Sequence, residues 1–297
     1  MSLAPIALFA YNRPEHLRAT LNALAADPLA ASSDLHIFSD GARGESVESL
    51  VGKVREIAKS AQGFRTVKVS ENATNVGLVE AITMGVSNLC ASYGRVIVLE
   101  DDLITAPGFL SFMNEALEKF RDNARVMQIS GYMYPVNPAN DGQAMFLPAT
   151  SCWGWATWLR AWNSYDPAIR GMTALSIDPV RRRALNLDGA YDYWQMLQDH
   201  NQGRINSWGV VWHLSVFMSG GLTLYPPVSL VSNCGFDGSG THGQANDLGQ
   251  VRLAAKGSHF VLPEIVETDQ EVYAMVKQLI RSSKRGWRHW LKKLLAA

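Results

Sequence analysis

The sequence predicts an α/β protein built on a mostly parallel sheet with covering helices, and three observations predict it. Strand-like apolar runs alternate with helix-spaced segments from Ile6 to Ser130. The run Arg95 to Leu99 is rich in β-branched residues and does not alternate, which suits a strand covered on both faces. The first four strand-like runs all end in polar residues, where open α/β sheets gather their ligands.

Taken in order, Ile6 to Ala10 reads as a strand, and Tyr11-Asn12-Arg13 leads into a helix opening at Pro14 with Leu17, Leu21 and Leu24 on one face. Leu35 to Phe38 is a second strand ending in Ser39-Asp40-Gly41, with a helix from Ser46 to Ala61 behind it. Phe64 to Val69 is a third strand ending in Ser70-Glu71-Asn72, and Val76 to Cys90 a third helix. The fourth strand ends in Glu100-Asp101-Asp102; Pro107 and the apolar spacing Phe109, Phe112, Met113, Ala116, Leu117, Phe120 then announce a helix, followed by a strand at Val126 to Ser130.

At 297 residues, 47% hydrophobic and 18% charged, the chain is long enough for a large core. Lys+Arg and Asp+Glu are both 27, so no overall basic footprint points to nucleic acid. The charge is uneven: from Lys277 onward there are seven Lys/Arg and no acid, leaving residues 1–276 with 20 basic against 27 acidic side chains. Three cysteines without C-x-x-C spacing argue against a disulfide framework or a zinc site. The N-terminus lacks a signal-type segment and no apolar run reaches the roughly 18 residues of a spanning helix, so the expected location is the cytoplasm.

Glu100-Asp101-Asp102 carries the chemistry. Three adjacent carboxylates repel one another and persist most easily when a divalent cation or hydrogen-bond donors compensate them. The competing reading is a set of acids before a helix N-terminus. The first strand-to-helix turn has no G-x-G-x-x-G, and neither a G-x-x-x-x-G-K-[ST] loop nor a G-x-S-x-G elbow occurs, which speaks against nicotinamide, P-loop and α/β-hydrolase chemistry. A nucleotide crevice without a glycine phosphate loop needs another way to neutralise phosphate, and a cation on Asp101 or Asp102 supplies it.

The stretch Val96 to Tyr132, with its acidic triplet, Ala106-Pro107-Gly108-Phe109, a helix and Val126 to Ser130, resembles the GT-A fold glycosyltransferases. Within them it is similar to the N-acetylglucosaminyltransferase I-like enzymes, and to bacterial polysaccharide-type transferases through Gly154-Trp155, Asp192-Tyr193-Trp194 and Gly235 to Gly243. The resemblance covers residues 4–245. It implies a GT-A sheet, Rossmann-like and mostly parallel, plus a C-terminal acceptor subdomain and a basic amphipathic helix. The divisions are 1–132 for the nucleotide-sugar-binding half, 133–268 for the acceptor half, and 269–297 for the helix.

The resemblance also implies roles. Asp102 binds Mn²⁺ or Mg²⁺ bridging the nucleotide diphosphate, and Asp101 and Glu100 contact ribose and donor sugar. Asp40 meets the nucleobase, with Tyr11 and Arg13 lining that pocket and Asn75 and Gly77 in a turn typical of these enzymes. In the loop Gly235 to Gly243, Thr241 is a phosphate contact and His242 a metal ligand. Asp192 is the expected general base of an inverting transfer. The resembled enzymes carry two adjacent Asp before the Trp, however, and the second is replaced here by Tyr193, so Asp188, Asp199 and Asp237 are reserves. Helix capping is the alternative for Asp192 and Asp102, and a capped strand-end turn for Asp40.

Seven of the nine Trp fall between Trp153 and Trp212, and Trp155, Trp158 and Trp162 recur at helical spacing. Most are assigned to packing, with Trp155 and Trp194 as donor or acceptor contacts. Glu271 to Ala297 reads as an amphipathic helix with Trp287, Trp290, Leu291 and Leu294 on one face, suited to an anionic membrane surface or to docking on the body. The expected partners are a nucleotide-sugar donor, a UDP-sugar first, and a saccharide or lipid-linked saccharide acceptor. A sugar nucleotidyltransferase and a non-catalytic nucleotide-sugar or glycan-binding protein are the alternatives; the first wants a Gly-rich basic loop where Tyr11-Asn12-Arg13-Pro14 stands.

Overall fold

Strand β1 (Ile6–Ala10) is buried along its whole length and is an interior strand, third from one edge, of an eight-stranded sheet. The computed structural model describes residues 2–138, 142–235 and 251–282. Around β1 the chain builds α1 (Pro14–Ala25), β2 (Asp34–Ser39), α2 (Glu45–Lys59), β3 (Thr66–Glu71), α3 (Leu78–Tyr93) and β4 (Arg95–Glu100). Strands β3, β2, β1 and β4 are neighbours in that order and parallel throughout. Pro14 sits in the first turn of α1, where its missing N–H costs nothing, and Leu17, Leu21 and Leu24 are buried. Helix α3 presses on β1 at Gly85, where a Cβ would stand 2.7 Å from the Phe9 ring.

The remaining elements are β5 (Leu103–Thr105), α4 (Phe109–Lys119), β6 (Val126–Ser130), β7 (Met145–Leu147), β8 (Trp155–Trp158), α5 (Leu159–Trp162), α6 (Gly171–Ser176), α7 (Pro179–Leu185), α8 (Tyr193–Asn201), α9 (Trp208–Met218), β9 (Leu222–Tyr225), β10 (Val231–Asn233) and α10 (Gln270–Ser282). The full sheet runs β3-β2-β1-β4-β8-β6-β9-β7, and β5 pairs with β10 in a separate antiparallel ribbon. Because β6 joins β8 and β9 within the one sheet, residues on both sides of position 132 share a core.

The α/β class and the parallel β3-β2-β1-β4 half agree with the sequence. The helical spacing of Trp155, Trp158 and Trp162 misleads: Trp155 to Trp158 is a strand, antiparallel to both β4 and β6. All four of its residues are buried, so both faces are apolar and no two-residue alternation marks it. The sheet is therefore parallel on one side and mixed on the other. Strand β3 and helix α3 each begin two residues later than the sequence suggests.

Of the expected C-terminal helix, α10 lies on the body: Val272, Tyr273, Val276 and Ile280 are buried, and Lys277 Nζ is 2.5 Å from Asp188 Oδ2. Residues 283–297 lie outside the described residues. No helix among the described residues is long and apolar enough to cross a membrane.

Candidate active site

Parallel register brings the four polar strand ends to one edge. Phe9 pairs with Glu100, Ala10 with Ser39 and Ser39 with Glu71, so the loops after β1, β2, β3 and β4 leave the sheet side by side.

At the centre, Arg13 grips two consecutive carboxylates. Its Nη2 donates to Asp101 Oδ1 at 2.6 Å and its Nη1 to Asp102 Oδ2 at 3.0 Å. Arg13 is held there because it precedes Pro14, which keeps it out of the helical region (φ −118°, ψ 77°), while its carbonyl accepts from Leu17 N. Asp101 is fixed further: its Oδ2 accepts from Tyr11 N at 3.1 Å and its carbonyl from Thr20 Oγ1 at 2.7 Å. The β5–β10 ribbon covers the other side. Cys234 donates through its N–H (2.9 Å) and its thiol (3.2 Å) to the Asp102 carbonyl. At Gly235 a Cβ would collide with the Asp102 carboxylate, so only glycine lets the chain pass this close.

The electrostatics follow from burial. Glu100 is 8% exposed and its Oε1 has no hydrogen-bond partner among the described residues; burial, with Asp102 adding repulsion, pushes its pKa well above its ordinary value. Burial also raises Asp101, opposed by Arg13. Burial works against the charge on Arg13, but Asp101 and Asp102 hold its pKa above the ordinary guanidinium value. Arg13 thus pairs with Asp101 and Asp102 together, and Asp102 keeps 13% side-chain exposure.

The helix-capping alternative for Asp102 does not hold. The amides of Gly108 and Leu110 at the start of α4 donate instead to Asp27 Oδ2, at 3.0 and 3.1 Å. Residues 103–105 intervene as β5.

Asp40 is 6% exposed and organises the neighbouring wall. Its Oδ1 accepts from the amides of Gly41 and Val76 and from Asn72 Nδ2, and its Oδ2 from Gly77 N and Asn75 Nδ2, all within 3.1 Å. Five donors on two oxygens make Asp40 the post that ties the 72–77 turn to β2. Arg55 adds to it by donating to the Asn72 carbonyl at 2.6 Å. Tyr11 is half-buried across the crevice, its hydroxyl accepting from Arg43 N at 3.1 Å.

One expected contact falls elsewhere. Trp155 is fully buried among Trp208, Trp162 and Trp212, stacked on Trp208 at 5.1 Å, and offers no face to a sugar. Asp192 is exposed and caps α8, its Oδ1 accepting from Gln195 N at 3.1 Å and Asn186 Nδ2 at 3.0 Å. Of the reserves, Asp188 pairs with Lys277 and Asp199 with Arg204. Thr241, His242 and Asp237 lie outside the described residues.

Sequence reasoning missed Asp27, Thr20, Arg55 and the Cys234–Gly235 cover. Each acts across a long separation, and only Gly235, at the head of a glycine-rich stretch, carried a local signal.

Among the described residues no three His, Cys, Asp or Glu are grouped to enclose a metal ion. Mg²⁺ and Mn²⁺ need no such cage, since one or two carboxylates complete their shell with phosphate and water. Asp102 fits that arrangement, since Arg13 engages its Oδ2 alone.

No family model matches the chain, and no curated protein matches it. Among solved structures it is similar to GalNAc-T7 with UDP, GalNAc and Mn²⁺, at 12% identity and TM-score 0.42, over 76% of this chain and 43% of that one. It is also similar to the mannosyltransferase PcManGT from Pyrobaculum calidifontis in complex with GDP-Man and Mn²⁺ (12% identity, TM-score 0.34, 52% of this chain and 45% of that one). A cytidylyltransferase from Leptospira borgpetersenii is similar at 12% identity and TM-score 0.36, over 56% of this chain and 64% of that one. The chain thus spans less than half the length of the first two.

Proposed function

We propose that this chain is a metal-dependent glycosyltransferase of the GT-A type, moving a sugar from a nucleotide diphosphate donor, a UDP-sugar first, to a saccharide or lipid-linked saccharide. The observation that carries this reading is the Arg13–Asp101–Asp102 arrangement at the carboxyl ends of parallel strands, in a crevice walled by Tyr11 and the Asp40-held turn. Residues 1–132 supply the donor half and 133–268 the acceptor half.

Each residue has a task. Asp102 would hold Mn²⁺ or Mg²⁺, and the ion would supply positive charge for the departing diphosphate. Arg13 keeps Asp101 and Asp102 aligned and is itself a cation beside the phosphates. Glu100, at the end of β4 beside Asp101, supplies a donor-sugar contact. Asp40 acts on the nucleobase side by fixing Asn75 and Gly77 in place. Asp192 serves as the base: both capping donors sit on its Oδ1, so cap and base do not compete for one oxygen. A carboxylate there takes the acceptor proton as the hydroxyl attacks the anomeric carbon from the face opposite the diphosphate, inverting the configuration.

The test is product analysis with UDP-sugars, Mn²⁺ and saccharide acceptors. Glycosyl transfer releases UDP from a UDP-sugar, whereas a nucleotidyltransferase releases pyrophosphate from a nucleoside triphosphate and a sugar 1-phosphate, supplied in a parallel assay, and a binding protein releases neither. Pyrophosphate, or no turnover with any donor, would overturn the reading.

A further inference from the structure

We propose that the corner between α6 and α7 is a bilayer-contact surface that seats this protein on membranes carrying anionic lipid. Ile177 and Val180 are 85% and 77% exposed, the most exposed large apolar side chains among the described residues. They are held out on a fixed backbone. Ile177 closes α6, Asp178 caps α7 by accepting from the amides of Val180 (3.1 Å) and Arg181 (2.9 Å), and Pro179 fills its first turn. Buried Leu175 and Leu185 anchor the two helices beneath.

The surrounding charge identifies the partner. Arg181, Arg182 and Arg183 follow Val180 directly. The Arg182 guanidinium lies 5.2 Å from the Trp194 ring and the Arg181 guanidinium 6.0 Å from the Phe217 ring. No carboxylate pairs with any of the three among the described residues, and the one acid at the corner, Asp178, is spent on backbone amides. Apolar tips beside uncompensated arginines match acyl chains beneath a layer of anionic headgroups.

A second observation extends the surface. Arg281 near the end of α10 donates to the Asp188 carbonyl at 3.0 Å, three residues beyond the end of α7. The corner is also joined to the acceptor side: Asn186, which ends α7, donates to Asp192 Oδ1 and accepts from Trp194 N at 2.9 Å. The inference stands on the surface chemistry and is independent of the proposed transfer reaction.

The experiment is co-sedimentation of the full chain with phosphatidylcholine vesicles, with and without phosphatidylglycerol. Wild type is expected to pellet with the anionic vesicles only. Ile177→Asp/Val180→Asp is expected to lower partitioning about tenfold or more, through lost apolar insertion. Arg181→Glu/Arg183→Glu is expected to lower it by at least fivefold per site, the approximate weight of one cation near an anionic surface. The circular dichroism spectrum stays that of wild type, since these side chains are exposed. Three results would overturn the proposal: no sedimentation of wild type, equal sedimentation of wild type and the Ile177→Asp/Val180→Asp variant, as binding through the tail alone would give, or a variant altered only in self-association.

Discussion

Arg13 and Asp101 form the buried ion pair on which the crevice is built, Nη2 to Oδ1 at 2.6 Å with side chains 19% and 4% exposed. Removing the cation leaves Asp101 desolvated beside two other acids. Arg13→Leu is therefore expected to destabilise the fold by about 3 kcal/mol, the usual result of breaking a buried pair from one side. Urea unfolding checks it, and Arg13→Lys, which keeps the charge but not the two-pronged grip, should fall between.

Asp27 ties the turn after α1 to the start of α4, 81 residues away. Its oxygens accept from Leu29, Gly108 and Leu110 amides. Asp27→Ala is expected to cost about 2 kcal/mol, at the upper end for a lost helix cap, because the freed amides are part-buried. Asp27→Asn should recover most of that in the same denaturation series.

His213 makes stability depend on pH. It is buried, its Nδ1 3.3 Å from Thr150 Oγ1 and its Nε2 3.2 Å from the Leu185 carbonyl, and burial pushes its pKa down to about 4 from 6.5. The unfolded chain binds this proton first, so the contribution is fully present above pH 6.5 and is lost as pH falls from there toward 4. The loss amounts to roughly 3 kcal/mol at most. Unfolding free energies of wild type and His213→Gln between pH 7 and 4 should converge as pH falls, and parallel curves would contradict the assignment.

Asp192→Asn separates cap from base. Asn is itself a competent cap, so stability should change by less than about 0.5 kcal/mol. Transfer at saturating donor should fall about 10²–10⁴-fold, the usual contribution of a positioned base. Near-wild-type turnover would leave Asp192 as a cap alone. A product retaining the donor's anomeric configuration would refute inversion whichever carboxylate proved essential.

What was legible in the sequence is what local chemistry writes there. The apolar runs of β1 and β4, Pro14 at the start of α1, and the acidic triplet each announce themselves within a few residues. What stayed hidden depends on partners far along the chain. Strand β8 lacks alternation because both its faces are buried, so its tryptophans mimic a helix and Trp155 passes for a sugar contact. Asp40 reads as an open ligand because the donors that fill it lie up to 37 residues away. The cation nearest the triplet is Arg13, 88 and 89 residues distant, which no motif discloses.

The central claim is that Asp102 makes donor binding depend on a divalent cation. Calorimetric titration of UDP into wild type and Asp102→Ala, each with Mn²⁺ and with chelator, tests it most directly. The account predicts that wild type binds UDP tightly only with Mn²⁺, and that Asp102→Ala, with an unchanged thermal unfolding profile, binds weakly and alike in both conditions. Mn²⁺-enhanced affinity that persists undiminished in Asp102→Ala would contradict it.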